Sequence, residues 1–180
     1  EVLKLLLTAD ALPVVRYMLS YGFGAQLTGT VPRPAALGHL MQLERTLGIQ
    51  ASAIRRLAAF AVVIPEDALQ LADRLRLSND DRDRLLHWSA AYTRAAVGRD
   101  SGMGVSPGTW PVLSADMTAH AARCAIYRLG APAFREACLA AWTRSGAAAP
   151  DNAWHDLFTL PQRWAAPTHG LKGADVTALG

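Results

Sequence analysis

Apolar residues recur along this chain at the spacing of an α-helix, and nowhere do they alternate as they would in a half-buried strand. Between residues 35 and 47 they fall at Leu37, Leu40, Met41, Leu43 and Leu47, which lines one helical face. Capping residues and breakers punctuate the pattern. Asp10, Ser52, Ser78, Ser114 and Asp151 stand where each can cap a following helix, and Gly22, Gly48, Gly130 and Gly146 stand where helices end. Pro65 and Pro132 sit at helix starts, where a missing N–H costs nothing. The spacing predicts helices over 1–9, 10–21, 35–47, 53–63, 66–75, 78–97, 114–130, 132–146 and 152–164, with a turn and a short helix over 170–180. Residues 22–34, rich in Gly, Thr and Pro, read as a linker. The expected fold is all-α, an array of about eight or nine helices.

The segment 98–111 contains Gly-Met-Gly-Val-Ser-Pro-Gly-Thr-Trp-Pro and is the natural boundary. It divides the chain into a helical region 1–97, a linker loop 98–113 and a second helical region 114–180. No repeat of fixed period is evident.

Composition narrows the class. Hydrophobic residues make up 51% and charged residues 18% of the 180, the balance of a folding chain rather than a disordered one. The longest apolar run, 57–65, is too short to span a bilayer, and the N-terminus lacks the pattern of a secretory signal. The expectation is a soluble cytoplasmic protein with no membrane partner. Cys124 and Cys138 have no metal-type spacing, and both are expected to be buried small hydrophobes.

The candidate chemistry mostly fails on geometry. Asp81-Arg82-Asp83 has the form of a two-metal carboxylate pair. On a helix, however, residues two apart point about 200° apart, and converging on one metal pair requires the opposite. His39, His87, His120, His155 and His169 lie on separate elements, with none paired at helical spacing, so no metal site is expected. Gly102-Met103-Gly104 follows no strand and is read as a connector rather than a phosphate cradle. Of the five tryptophans, Trp88, Trp142, Trp154 and Trp164 lie in apolar helical patterns and belong to the core, which leaves Trp110 open.

The arginines remain. Lys4 and Lys172 are the only lysines among 18 cations, and the net charge is +3. Arginine presents a planar fork of donors suited to phosphate, although a coding bias toward Arg and Ala yields the same ratio. Arg74, Arg76, Arg82 and Arg84 gather within eleven residues, with Arg55-Arg56 and the pair Arg123 and Arg128 as further groups. These side chains and Lys172 are the candidate RNA contacts, acting on phosphates without reading sequence. A solvated helix face is the alternative, since Asp73, Asp80, Asp81 and Asp83 lie beside the central group.

The run Arg74-Leu75-Arg76-Leu77-Ser78-Asn79, continuing Asp80-Asp81-Arg82-Asp83-Arg84-Leu85, resembles a segment of the bacterial class II tRNA nucleotidyltransferase and poly(A) polymerase family. Other pieces follow in the family's order. They are Glu1-Val2-Leu3-Lys4-Leu5-Leu6, Val14-Val15-Arg16-Tyr17-Met18 with Gly22, Leu43-Glu44, and Arg56-Leu57-Ala58-Ala59. Ala121-Ala122-Arg123, Tyr127-Arg128-Leu129-Gly130, Ala133-Phe134-Arg135, Trp142 and Trp164 are similar to its alphaproteobacterial branch, and Leu171 to Gly180 is similar to the family's closing segment. The 98–111 loop has no counterpart there.

The resemblance implies the neck, body and tail of such an enzyme, without its N-terminal catalytic head. The family's head carries a Gly-Ser turn, a metal-binding Asp-x-Asp and a Glu-Asp-x-x-Arg template; the first and last do not occur in this sequence, and its one Asp-x-Asp, Asp81-Arg82-Asp83, fails on geometry. No cofactor is therefore expected in this chain, while Mg2+ and ATP or CTP are implied for the head. The implied partners are tRNA or another RNA and the head itself, and the implied parent activity is addition of CCA or poly(A) to RNA 3′ ends. A helical protein-interaction or oligomerisation module is the competing expectation.

Overall fold

Two helices with little exposed surface organise the molecule. The computed structural model describes residues 1–94 and 111–167, and those residues contain ten α-helices and no strand. In chain order they are α1 (Val2–Leu7), α2 (Ala11–Ser20), α3 (Phe23–Thr28), α4 (Pro34–Thr46), α5 (Ala53–Ala61), α6 (Pro65–Leu75), α7 (Asn79–Arg94), α8 (Ala119–Leu129), α9 (Ala131–Ser145) and α10 (Asn152–Arg163). The all-α array read from the sequence is what the chain forms.

α5 packs against α1, α4 and α7, and α9 packs against α4, α7, α8 and α10. α4 and α7 therefore bridge the two hubs. Ala58, Ala59 and Ala61 on α5 and Ala137, Ala140 and Ala141 on α9 are buried. Such short side chains let neighbouring helices approach closely. Leu57, Phe60, Phe134 and Trp142 fill the space between them. One apolar cluster runs from Leu6 and Leu37 to Phe134 and Phe158, so helices on both sides of residues 95–110 share a core. The expected linker falls mostly within those residues, outside the described ones, and Leu113 at its end is buried in the shared core.

Most helix signals act as expected. Ser52 Oγ accepts from Arg55 N at 3.4 Å, and Asp151 Oδ1 accepts from Trp154 N at 3.0 Å. Ser78 Oγ accepts from Asp81 N at 3.1 Å and donates to the Asp81 carboxylate at 2.8 Å, so the two side chains bond each other at the start of α7. Three signals misled. Asp10 makes no side-chain cap bond. Ser114 is not the cap of α8; Thr118, four residues on, accepts from Ala121 N at 3.2 Å. The supposed linker 22–34 holds α3. The Thr28 hydroxyl closes that short helix by sharing its one proton between Gly24 O and Thr30 O, each at 3.1 Å, a local bond that composition does not announce.

A buried ion cluster locks α1, α4 and α5 together. Glu44, only 2% exposed, accepts from Arg56 Nε at 2.7 Å and Arg55 Nη1 at 3.1 Å. Arg56 also donates to Leu6 O at 2.7 Å and Thr8 O at 3.2 Å, satisfying carbonyls at the end of α1. A helix of six residues has no stability of its own, so α1 depends on this anchor. Removing Glu44 leaves the buried Arg56 guanidinium without a carboxylate, although Arg55 keeps Glu136, and this costs about 3–5 kcal/mol. Glu44→Ala is therefore expected to lower unfolding free energy by that amount in urea titration. Asp156→Ala, which breaks the exposed Arg163–Asp156 pair at 3.2 Å, is expected to change it by less than about 1 kcal/mol.

Candidate functional site

A cleft of about 570 Å³ has walls from α5, α7, α9 and α10. That is the size of a small-molecule site. Its apolar lining includes Ile54, Ala58, Ala137, Leu139 and Phe158, while Arg55, Arg84, His87, Trp88, Arg135 and Glu136 supply polar groups.

Ion pairing fixes one side of the cleft. Arg55 donates to both Glu136 oxygens, from Nε at 2.9 Å and from Nη2 at 2.6 Å, and its Nη1 reaches Gln50 O at 3.1 Å as well as Glu44. Burial works against the charged guanidinium, but hydrogen bonds and charge from Glu136 and then Glu44 outweigh it and hold the Arg55 pKa above its ordinary value. Arg55 thus stays charged, and Glu136 has both oxygens occupied by it.

The other side has donors to spare. Arg135 lies over the Phe158 ring, with its guanidinium carbon 4.4 Å from the centroid, and its buried Nε has no acceptor. Trp88 is 4% exposed, and its Nε1–H also has no acceptor. Arg84 is half-exposed, donates to Ser52 Oγ at 3.3 Å and stands 3.7 Å from Asp81, a long surface pair. Arg135 Nε and Trp88 Nε1 are both enclosed by protein, so what the cleft presents on this side is the positive charge of Arg84 and Arg135.

The candidate RNA contacts separate into groups. Arg55 and Arg84 meet at this cleft. Arg56 is 7% exposed and is consumed by Glu44 and the α1 carbonyls, so its guanidinium does not face a phosphate. Arg74 donates to Leu27 O at 3.2 Å and to Gln26 O, closing the end of α3. Arg82 bonds its neighbour Asp83 at 3.1 Å. Arg76 is exposed at the end of α6. Arg123 and Arg128 are exposed on α8 but point about 140° apart on that helix. Lys172 lies outside the described residues, as do Trp110, His169 and Gly102-Met103-Gly104.

Sequence reasoning passed over Arg135 and Trp88 as site residues. Trp88 carried only a core signal, and Arg135 belonged to none of the arginine groups; packing α9 against α7 brings both to the cleft. No group of His, Cys, Asp and Glu among the described residues is arranged to hold a metal ion. No helix among them is long and apolar enough to cross a membrane. The cysteine expectation needs correction. Cys138 is buried, but Cys124 is exposed on α8, with its sulfur 3.6 Å from His120 Nε2.

Comparison with protein-family models, curated proteins and solved structures finds no match.

Burial raises the Cys138 thiol pKa well above its ordinary value, against a smaller lowering by Arg135. In the native chain a disulfide reagent is expected to titrate Cys124 alone, with Cys138 reacting only in denaturant. Because the unfolded thiol ionises near about pH 8.5, stability falls as the pH rises above that value. A Cys138→Ala variant loses that part of the pH dependence.

Proposed function

We infer that this chain is an RNA-holding helical module that binds phosphates through arginines around the α6–α7 turn. One observation carries the reading. Arg76 sits at φ 51° and ψ 51°, and no other non-glycine residue among those described has positive φ. A side chain in this left-handed conformation costs about 1–2 kcal/mol, which glycine would avoid. An exposed arginine retained in a strained turn is one whose side chain is used. Arg82 and Arg84 follow on the next helix, and their carboxylate partners Asp83 and Asp81 are not buried, which makes these contacts worth little in water and readily exchanged for phosphate.

On the resemblance, we propose that such a module serves an enzyme that adds CCA or poly(A) to RNA 3′ ends. In that arrangement a separate catalytic head holds Mg2+ and ATP or CTP, while this chain grips tRNA by shape and backbone. The test sets stability against binding at one position. Arg76→Gly is expected to raise unfolding free energy by up to about 1 kcal/mol while weakening tRNA binding. Its slope of log affinity against log salt should fall by about 0.9 relative to the parent, the loss of one phosphate contact. Parent binding that is absent or insensitive to salt contradicts the reading.

A second reading rests on a different surface. Tyr17, Tyr21, Phe23 and Val31 are exposed around α2 and α3, and the Tyr17 and Tyr21 rings lie 4.8 Å apart. Apolar groups clustered in this way suit a protein partner. A stable dimer by light scattering that Tyr17→Ala disrupts, together with no affinity for tRNA, would favour an interaction module instead.

A further inference from the structure

We propose that the cleft between α5, α7, α9 and α10 binds a nucleoside phosphate monoester, with its base against the apolar wall and its phosphate between Arg84 and Arg135. This goes beyond the RNA reading, which rests on the α6–α7 turn, and stands if that reading fails.

The argument begins with the balance of donors and acceptors. Glu136 is the carboxylate lining the cleft, and Arg55 occupies both its oxygens. Arg135 Nε and Trp88 Nε1 are buried donors with no acceptor in the protein. Arg84 adds exposed donors, and its tie to Asp81 is long at 3.7 Å. With the Arg55 charge matched by Glu136, the excess on this side comes from Arg84 and Arg135. A complementary ligand therefore brings negative charge and several oxygens. A carboxylate offers two oxygens. A phosphate monoester offers three and carries up to two negative charges, which suits two guanidinium groups from separate side chains.

Inorganic phosphate alone would leave most of the cleft unfilled. The volume of about 570 Å³ and the wall of Ile54, Ala58, Leu139 and Phe158 call for an apolar body attached to the anion. Arg135 already stacks on Phe158 at 4.4 Å, which presents a flat surface for a planar ring. A nucleobase joined through ribose to a phosphate meets both demands. The same chemistry is found in a free nucleotide and in the phosphorylated end of an RNA chain.

Proton–nitrogen correlation spectra of the full chain report on the site, because Trp88 lines it and its indole N–H senses a ligand entering beside the ring. Trp88→Phe assigns that signal among those of the five tryptophans. Titration with adenosine 5′-monophosphate is expected to move it saturably. Adenosine and inorganic phosphate should each bind at least about tenfold more weakly, and Arg84→Gln should cost a similar factor, the scale of one charge-assisted hydrogen bond. Arg84 is half-exposed, and unchanged Trp142 and Trp154 signals would show that the variant remains folded. Arg135→Lys, which keeps the charge and removes the Nε donor, should weaken binding as well. Competition by a 5′-phosphorylated oligoribonucleotide, but not by its unphosphorylated form, would assign the site to an RNA end. Failure of both to compete would assign it to a free nucleotide, and either result supports the proposal. A Trp88 signal unmoved at millimolar nucleotide overturns it. So does binding no tighter than that of inorganic phosphate, or an Arg84→Gln protein that binds as the parent does.

Discussion

The structure depends on one buried carboxylate. Glu44 on α4 holds two consecutive arginines of α5, and each extends the connection to another helix. Arg56 reaches the carbonyls that end α1, and Arg55 reaches Glu136 on α9. Two carboxylates and two guanidinium groups close with no net charge, and this makes their burial tolerable. A purely apolar contact would allow α4, α5 and α9 to slide along one another. Directional bonds at 2.6–3.1 Å fix their register instead.

The cleft follows from that register. Once Arg55 is drawn to Glu136, α9 presents Arg135, the next residue back, to the same opening, where Phe158 of α10 supports it. α7 completes the site because it packs against both hubs and carries Trp88 and Arg84. The same ion pairing that stabilises the fold leaves a wall short of acceptors.

Most local signals were legible in the sequence, and distant ones were not. The helices starting after Ser52 and Asp151 and the apolar face of α4 could be read because caps and periodicity act within a few residues. α3 escaped because its closing bonds come from Thr28 and from Arg74, 47 and 48 residues away from the carbonyls it caps. The roles of Arg55 and Arg56 could not be read either. As a sequence pair they looked like phosphate contacts, but their partners Glu44 and Glu136 lie 11, 12 and 81 residues away. Cys124 lay in an apolar-looking stretch, yet α8 turns it outward. Arg76 was legible as a candidate, whereas its left-handed backbone, the feature that distinguishes it from other exposed arginines, appears only in three dimensions.

The central claim is that the turn joining α6 to α7 is the RNA-facing surface. Hydrogen–deuterium exchange of the chain with and without tRNA, at low salt, tests it most directly. The account predicts slowed exchange concentrated in the backbone from Leu75 to Arg84, fading as salt is raised. Protection confined to α2 and α3, or none anywhere, would contradict it.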